Sequence, residues 1–346
     1  LLVYLTGRVV DNYVLCAPHC EQMLPRLPDS ELDDSLRDGV DALADCDATD
    51  AAAEPPTIVS ISDIHGYLDD ARSALLTLTD HPEFAPVVFQ DDDGRLHWAD
   101  ENYVLLFNGD LVDRGPANEG VLELVARLIA EAPPGRVRLT LGNHEALALS
   151  PDQFGFDEWF SGQVDDDARR QLYEAIVDGH VVAAYAGHTV TYAHAGADEP
   201  YDVSAANELL VAAAETLQEA ISTDEDRAMQ GRIIKDYPQV LGVGRNHLKG
   251  PEAGLVWLHF DHLSADAPPQ VVGHTRHDAP TTNGRVHCQN VLRNNVDSPS
   301  TSSRGHPDDT VDSRGGEAVF VETPEALSAL IRQSDGGVET RTAPFN

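Results

Sequence analysis

Five short apolar runs in this chain end in the same manner. Thr57-Ile-Val-Ser-Ile61 runs into Ser62-Asp63-Ile64-His65-Gly66, and Tyr103-Val-Leu-Leu-Phe107 runs into the stretch Gly109-Asp110-Leu111-Val112-Asp113-Arg114-Gly115. Arg136-Val-Arg-Leu-Thr-Leu141 meets Gly142-Asn143-His144-Glu145, a run near 189–193 meets His194-Ala195-Gly196, and Gln270-Val-Val272 meets Gly273-His274-Thr275. Apolar runs of about 4–8 residues bounded by such turns read as buried strands. Between them, Leu68, Ala71, Leu75 and Leu78 share one helical face, and Val121, Leu124, Val125 and Leu128 share another. Strands alternating with helices predict an α/β fold, with a ligand site where the carboxyl ends of the strands converge.

Taken singly, none of these ends is specific. A histidine after a strand is usually a satisfied structural group, and an aspartate such as Asp110 serves as a turn residue or helix cap. Five such ends in succession, each beside a glycine or alanine, are not independent turn chemistry. Asp63, His65, Asp110, Asn143, His194 and His274 offer carboxylate, amide and imidazole donors without thiolates. That mixture suits Mn²⁺, Fe or Zn²⁺ in a working site rather than a structural zinc.

In their order along the chain, these motifs resemble those of the calcineurin-like metallophosphoesterases. Asp113-Arg114-Gly115 and Gly142-Asn143-His144-Glu145 are similar to the versions found in the phosphoprotein (Ser/Thr) phosphatase branch. The resemblance spans about Thr57 to Glu322 and implies an α/β fold of the αββα sandwich type: two mixed β-sheets flanked by helices. It implies two divalent metal ions, Mn²⁺ first and Fe or Zn²⁺ as alternatives. Asp63, His65 and Asp110 are expected to hold one ion, and Asp110, Asn143, His194 and His274 the other. A metal-activated water then attacks phosphorus in line, and no serine or cysteine nucleophile is needed. The resemblance makes His144 the general acid, oriented by Asp113, and Arg114 a fork for phosphate oxygens. From the residues alone, Arg114 also reads as half of a surface ion pair. Glu145 and Asp297 are expected to support the site rather than bind metal.

The match thins at Gly254-Leu-Val-Trp-Leu-His259, where family members of the eukaryotic type carry a second phosphate-binding arginine. Arg245, Arg276 and His259 are candidates to replace it. The expected substrate is a phosphorylated protein or a small phosphoester. Diadenosine tetraphosphate, or another nucleotide polyphosphate, is the alternative, and an inactive binding scaffold is the non-enzymatic one. Histidines 247, 259, 262, 277 and 287 are irregularly spaced and read as rim residues rather than a third metal site.

Charge narrows the partners. Asp and Glu number 59 against 23 Lys and Arg, the net charge is −36, and only Lys235 and Lys249 are lysines. Nucleic acid requires a positive footprint that this chain lacks. With 42% hydrophobic residues the chain has material for a core, so the acidity reads as surface, of the kind expected in a halophilic archaeon. No apolar run reaches the length of a membrane span, and the first ten residues lack a basic signal-peptide start, so a cytoplasmic protein is expected. Cys16, Cys20, Cys46 and Cys288 read as free thiols.

Residues 1–56 read as an N-terminal extension and linker, with a helix predicted over 31–47 on Leu32, Leu36, Val40 and Leu43. The catalytic domain is expected over 57–325, with insertions near 81–101, 200–250 and 298–315, followed by a C-terminal tail over 326–346.

Overall fold

The computed structural model describes residues 55–292 and 315–345. The expected helix over 31–47, Cys16, Cys20, Cys46, Asp297 and nearly all of the 298–315 insertion lie outside the described residues.

In chain order, β1 (Thr57–Ile61) leads to α1 (Leu68–Leu75), the hairpin β2 (Val88–Gln90) and β3 (Leu96–Trp98), then β4 (Tyr103–Phe107), α2 (Asn118–Glu131) and β5 (Val137–Thr140). Helices α3 (Asn143–Leu149), α4 (Pro151–Phe154) and α5 (Asp166–Val177) precede the short strands β6 (Val181–Val182), β7 (Tyr185–Ala186) and β8 (Thr191–Tyr192). The 200–250 segment supplies α6 (Val203–Ala220), α7 (Asp226–Asp236) and α8 (Pro238–Leu241). Strands β9 (Gln270–Val272), β10 (Thr281–Asn283), β11 (Val286–Cys288), β12 (Ala318–Glu322), β13 (Leu327–Arg332) and β14 (Val338–Thr342) follow.

They form a seven-stranded sheet, ordered β14-β13-β12-β1-β4-β5-β6, and a five-stranded sheet, ordered β10-β11-β9-β8-β7. Strands β1, β4, β5 and β6 run parallel, so their carboxyl ends meet along one edge. The period-two alternation of strands divides the core. Ile58, Val104 and Leu106 pack with Tyr185, Tyr192 and Val271 of the second sheet, while Val59, Leu105 and Phe107 face the side covered by Leu75 and Val121. Burial on both faces explains why these strands read as continuous apolar runs. The outer face of the small sheet carries Val272 and Cys288 and is closed by Leu258, Phe260 and Leu263. Truncating Phe107, fully buried behind the second motif, is expected to cost about 3–5 kcal/mol.

One boundary is corrected. Residues 327–342, expected as a tail, form β13 and β14 and extend the large sheet antiparallel to β12. Phe345 is buried against Phe320, with ring centroids 4.8 Å apart. The physical cause is a half-buried hairpin: Leu327, Ala329 and Ile331 alternate toward the inter-sheet core, and Ser334-Asp-Gly-Gly337 makes the turn. Within the segment 81–101, β2 and β3 pair as a two-stranded antiparallel sheet of their own.

Candidate active site

The five motifs meet at the edge where the parallel strands end. Asp63, His65, Asp110, Asp113, Asn143, His144, His194 and His274 are all buried, whereas Arg114 is exposed. Such side chains are brought together by unusual backbone. Nine non-glycine residues among those described have positive φ, and six of them are Asp63, His65, Asp110, Asp113, Arg114 and His274. Each left-handed residue costs on the order of 1 kcal/mol, a cost that clusters where function needs geometry. Two glycines are required by close approach. A Cβ on Gly109 would strike the His194 ring, and one on Gly142 would strike the backbone and carboxylate of Asp110.

The hydrogen bonds set the imidazole tautomers. His65 Nδ1 lies 2.8 Å from the Val112 carbonyl, and His194 Nδ1 lies 2.9 Å from the Asn108 carbonyl. A carbonyl only accepts, so each Nδ1 carries a proton and each Nε2 points inward. Those inward atoms converge on one carboxylate oxygen: Asp110 Oδ2 is 3.4 Å from His65 Nε2 and 3.3 Å from His194 Nε2. Asn143 Oδ1 is 3.3 Å from His194 Nε2 and 2.8 Å from His274 Nδ1. Asp63 Oδ1 lies 3.8 Å from His65 Nε2. His274 Nε2 is buried without a hydrogen-bond partner.

Electrostatics report the same crowding. Burial works to raise the Asp110 pKa, but the imidazoles of His194, His144 and His65 outweigh it and hold it well below the usual carboxylate range. Against burial, Asp110 pushes His194 up to about 9. Burial, aided by Lys249 and His194, holds His274 well below an ordinary histidine. Two groups of side chains come close enough to share an ion: His65, Asp110 and His144, and Asp110, His194 and His274.

His144 differs from the other imidazoles in its partners, a carboxylate on one side and a guanidinium on the other. Nδ1 lies 2.5 Å from Asp113 Oδ2, and Nε2 accepts from the Arg114 guanidinium at 3.1 Å. Arg114 therefore bonds to His144 rather than to a carboxylate. Glu145 is a structural clamp: its carboxylate accepts backbone N–H bonds from Asp110 and Leu111, both at 2.9 Å, and from Gly142 at 3.1 Å. Burial, and then the charge of Asp110, raise its pKa to about 7.

Several residues escaped the sequence reading. Asn290 donates to Asp63 Oδ1 at 2.6 Å. It ends β11 as the other motifs end their strands, so the same rule could have found it. Asn108 holds Thr140 at 2.7 Å and offers its carbonyl to His194. Ser161 donates to Asp113 twice, from its amide at 2.9 Å and its hydroxyl at 2.6 Å. Trp159 stacks on His144 at 4.8 Å and 12°, and Phe156 stacks on Trp159 at 4.6 Å and 12°. No local signal marks Ser161 or Trp159, since their partners lie more than a helix away in sequence. Of the candidates for a second phosphate arginine, Arg245 is occupied by Glu252 at 2.5 and 2.6 Å, while Arg276 is exposed two residues beyond His274.

Comparison with known proteins bears on the fold and the family. A cold-active protein tyrosine phosphatase matches with a TM-score of 0.52 and 18% identity, covering 83% of this chain and 78% of its own. A point mutant of a cold-active protein tyrosine phosphatase matches with a TM-score of 0.51 and 18% identity, over 83% and 80% of the two chains. The enzyme of a psychrophilic Shewanella species gives a TM-score of 0.48 at 19% identity, over 83% and 80%. The first two likenesses establish the fold. The model of the calcineurin-like phosphoesterase family matches residues 56–236, just over half of the sequence. With that match and these strand ends, the chain belongs to the calcineurin-like phosphoesterases and is a metal-dependent phosphoester hydrolase.

Proposed function

We propose that the protein is a binuclear phosphomonoester hydrolase acting on phosphoserine and phosphothreonine in proteins. The observation that supports this best is the convergence of buried acceptor atoms on Asp110 Oδ2, with His65 Nε2 at 3.4 Å and His194 Nε2 at 3.3 Å. Imidazole nitrogens gathered around one carboxylate oxygen in a dry site suit a cation held between them. In this reading Asp63, His65 and Asp110 hold one ion, and Asp110, Asn143, His194 and His274 hold the other. His144 lies close to the first group, but Asp113 and Arg114 already engage its nitrogens, which suits proton transfer rather than ligation. The oxygen- and nitrogen-donor set favours Mn²⁺. When bound, two such ions lower the pKa of water and clamp a phosphate for in-line attack.

The chain's own residues do the rest. Arg114, exposed at the mouth, turns its planar fork from His144 Nε2 to the phosphate oxygens. That movement uncovers Nε2, which takes up a proton from solvent and delivers it to the leaving oxygen. Asp113 and Ser161 hold the ring in place during the transfer. An exposed Arg114 above a buried centre suits a phosphate carried on a protein side chain. The acidic surface supports a protein that works in concentrated salt.

A substrate panel with Mn²⁺ tests the assignment: phosphoserine, phosphothreonine and phosphotyrosine peptides, diadenosine tetraphosphate, cyclic nucleotides and p-nitrophenyl phosphate. The phosphoserine and phosphothreonine peptides are expected to give the highest kcat/KM among the biological substrates. A kcat/KM for diadenosine tetraphosphate or for phosphotyrosine peptides about 100-fold above theirs, roughly 2.7 kcal/mol in transition-state binding, would overturn it.

A further inference from the structure

In a chain of net charge −36, cations are scarce, and here they gather. Helix α7 borders a cavity of about 820 Å³, into which it presents Arg227, Arg232 and Lys235. Lys235, one of only two lysines in the sequence, is among them. Arg232 is ion-paired with Asp236 at 2.7 Å, and Asp224 also lies on the rim. Arg227 and Lys235 are exposed and hold no carboxylate among the described residues. The remaining wall is apolar, with Phe154, Ile234 and Val243. Val243 is 37% exposed, one of two large apolar side chains left exposed among the described residues.

The cavity is linked to the strand-end centre through aromatic rings. Phe154 packs on Trp257 with centroids 5.5 Å apart, and Phe156 two residues later begins the ring ladder to His144. Ring spacings of 4.6 and 4.8 Å and one dipeptide step thus separate His144 from Phe154. That span is on the order of 15–20 Å, which about five extended residues cover.

We propose that this cavity docks the flank of the substrate: a peptide segment bearing carboxylates and a large apolar side chain within about five residues of the phosphorylated one. The proposal rests on the phosphoprotein reading above. The apolar wall takes the side chain, Arg227 and Lys235 take the carboxylates, and the acidic surface elsewhere repels the same segment. Local cations in a repelling field fix orientation and register more than they add affinity.

Fluorescent phosphoserine peptides of one length test this, with Glu/Leu or Lys/Leu flanks, at about 0.1 M salt where the Debye length is about 10 Å. The overall charge of −36 alone favours the Lys/Leu peptide. Docking in the cavity predicts the opposite order, with the Glu/Leu peptide about tenfold higher in kcat/KM, or about 1.4 kcal/mol, and the difference in KM. The double variant Arg227→Glu with Lys235→Glu should invert that ratio. Because both peptides are compared within one preparation, partial loss of folded protein cancels. A ratio favouring Lys/Leu in the parent, or an unchanged ratio in the double variant, would overturn the docking site. Failure to release phosphate from any peptide would instead overturn the phosphoprotein reading. Fluorescence anisotropy of the same peptides then decides the cavity: tighter binding of the Glu/Leu peptide upholds it, and equal or weaker binding rejects it.

Discussion

At the strand ends the polar side chains are buried and each is held by several partners. Asp63 is fixed by Asn290 and by the His274 amide, and Asp113 by His144 and both donors of Ser161. Around the α7 cavity the charged groups are exposed, and Arg227 and Lys235 are free of carboxylates among the described residues. The two regions are linked through Phe154 but differ in character. A dry, rigid centre stabilises a transition state because its dipoles do not reorganise. A wet, adjustable rim selects what arrives. Changes at the centre should therefore appear in kcat, and changes at the rim in KM.

The largest effect is expected from Asp110→Asn. It removes the charge on which both imidazole groups converge, and a loss of several kcal/mol corresponds to about 10³-fold or more in kcat. Metal analysis of the purified variant should show both ions loosened; two tightly held ions with full activity would place the bridge elsewhere. His144→Gln is expected to keep its metal content while kcat falls by about 10²–10⁴. The loss should shrink for p-nitrophenyl phosphate, whose leaving group needs little protonation, and an equal loss on all substrates would make His144 structural.

Ser161→Ala probes the support beneath that histidine. Removing one hydroxyl donor from Asp113 costs about 1.5–3 kcal/mol, at most about 10²-fold in kcat, with KM unchanged and Ser161→Thr restoring most of it. A rise in KM with kcat unchanged would assign Ser161 to binding. The smallest effect should come from salt, which reaches the exposed shell but not the buried centre. Raising KCl from about 0.1 to 3 M should increase Tm, and each 1 kcal/mol gained is worth roughly 2–4 °C. A steady fall in Tm would contradict a salt-adapted surface.

The same contrast explains what could be read in advance. Asp63, His65, Asp110, Asn143, His194 and His274 were legible because each directly follows an apolar strand, and parallel strands bring their ends to one edge whatever lies between. The α/β alternation was legible for the same reason. Ser161 and Trp159 were not, since they reach the site through a short 3₁₀ turn over Phe160–Gln163 that no periodicity predicts. Strands β13 and β14 were missed although Leu327, Ala329 and Ile331 alternate, because a polar, charged end of a chain resembles a tail until its partner strand is known. The α7 cavity was invisible for a different reason: Arg227 and Lys235 gain meaning only when folding places them beside the same opening as Phe154 and Val243.

Whether the acceptors around Asp110 are held by two shared ions can be measured on the intact protein. The chain is stripped with a chelator and reloaded stepwise with Mn²⁺. Element-resolved mass spectrometry counts the ions, while phosphate release from a phosphoserine peptide is followed on the same samples. Two ions per chain at full activity, with activity lost on stripping and recovered only as the second site fills, is the expected result. Full activity with one ion per chain, or undiminished phosphate release from the stripped protein, would contradict a binuclear centre.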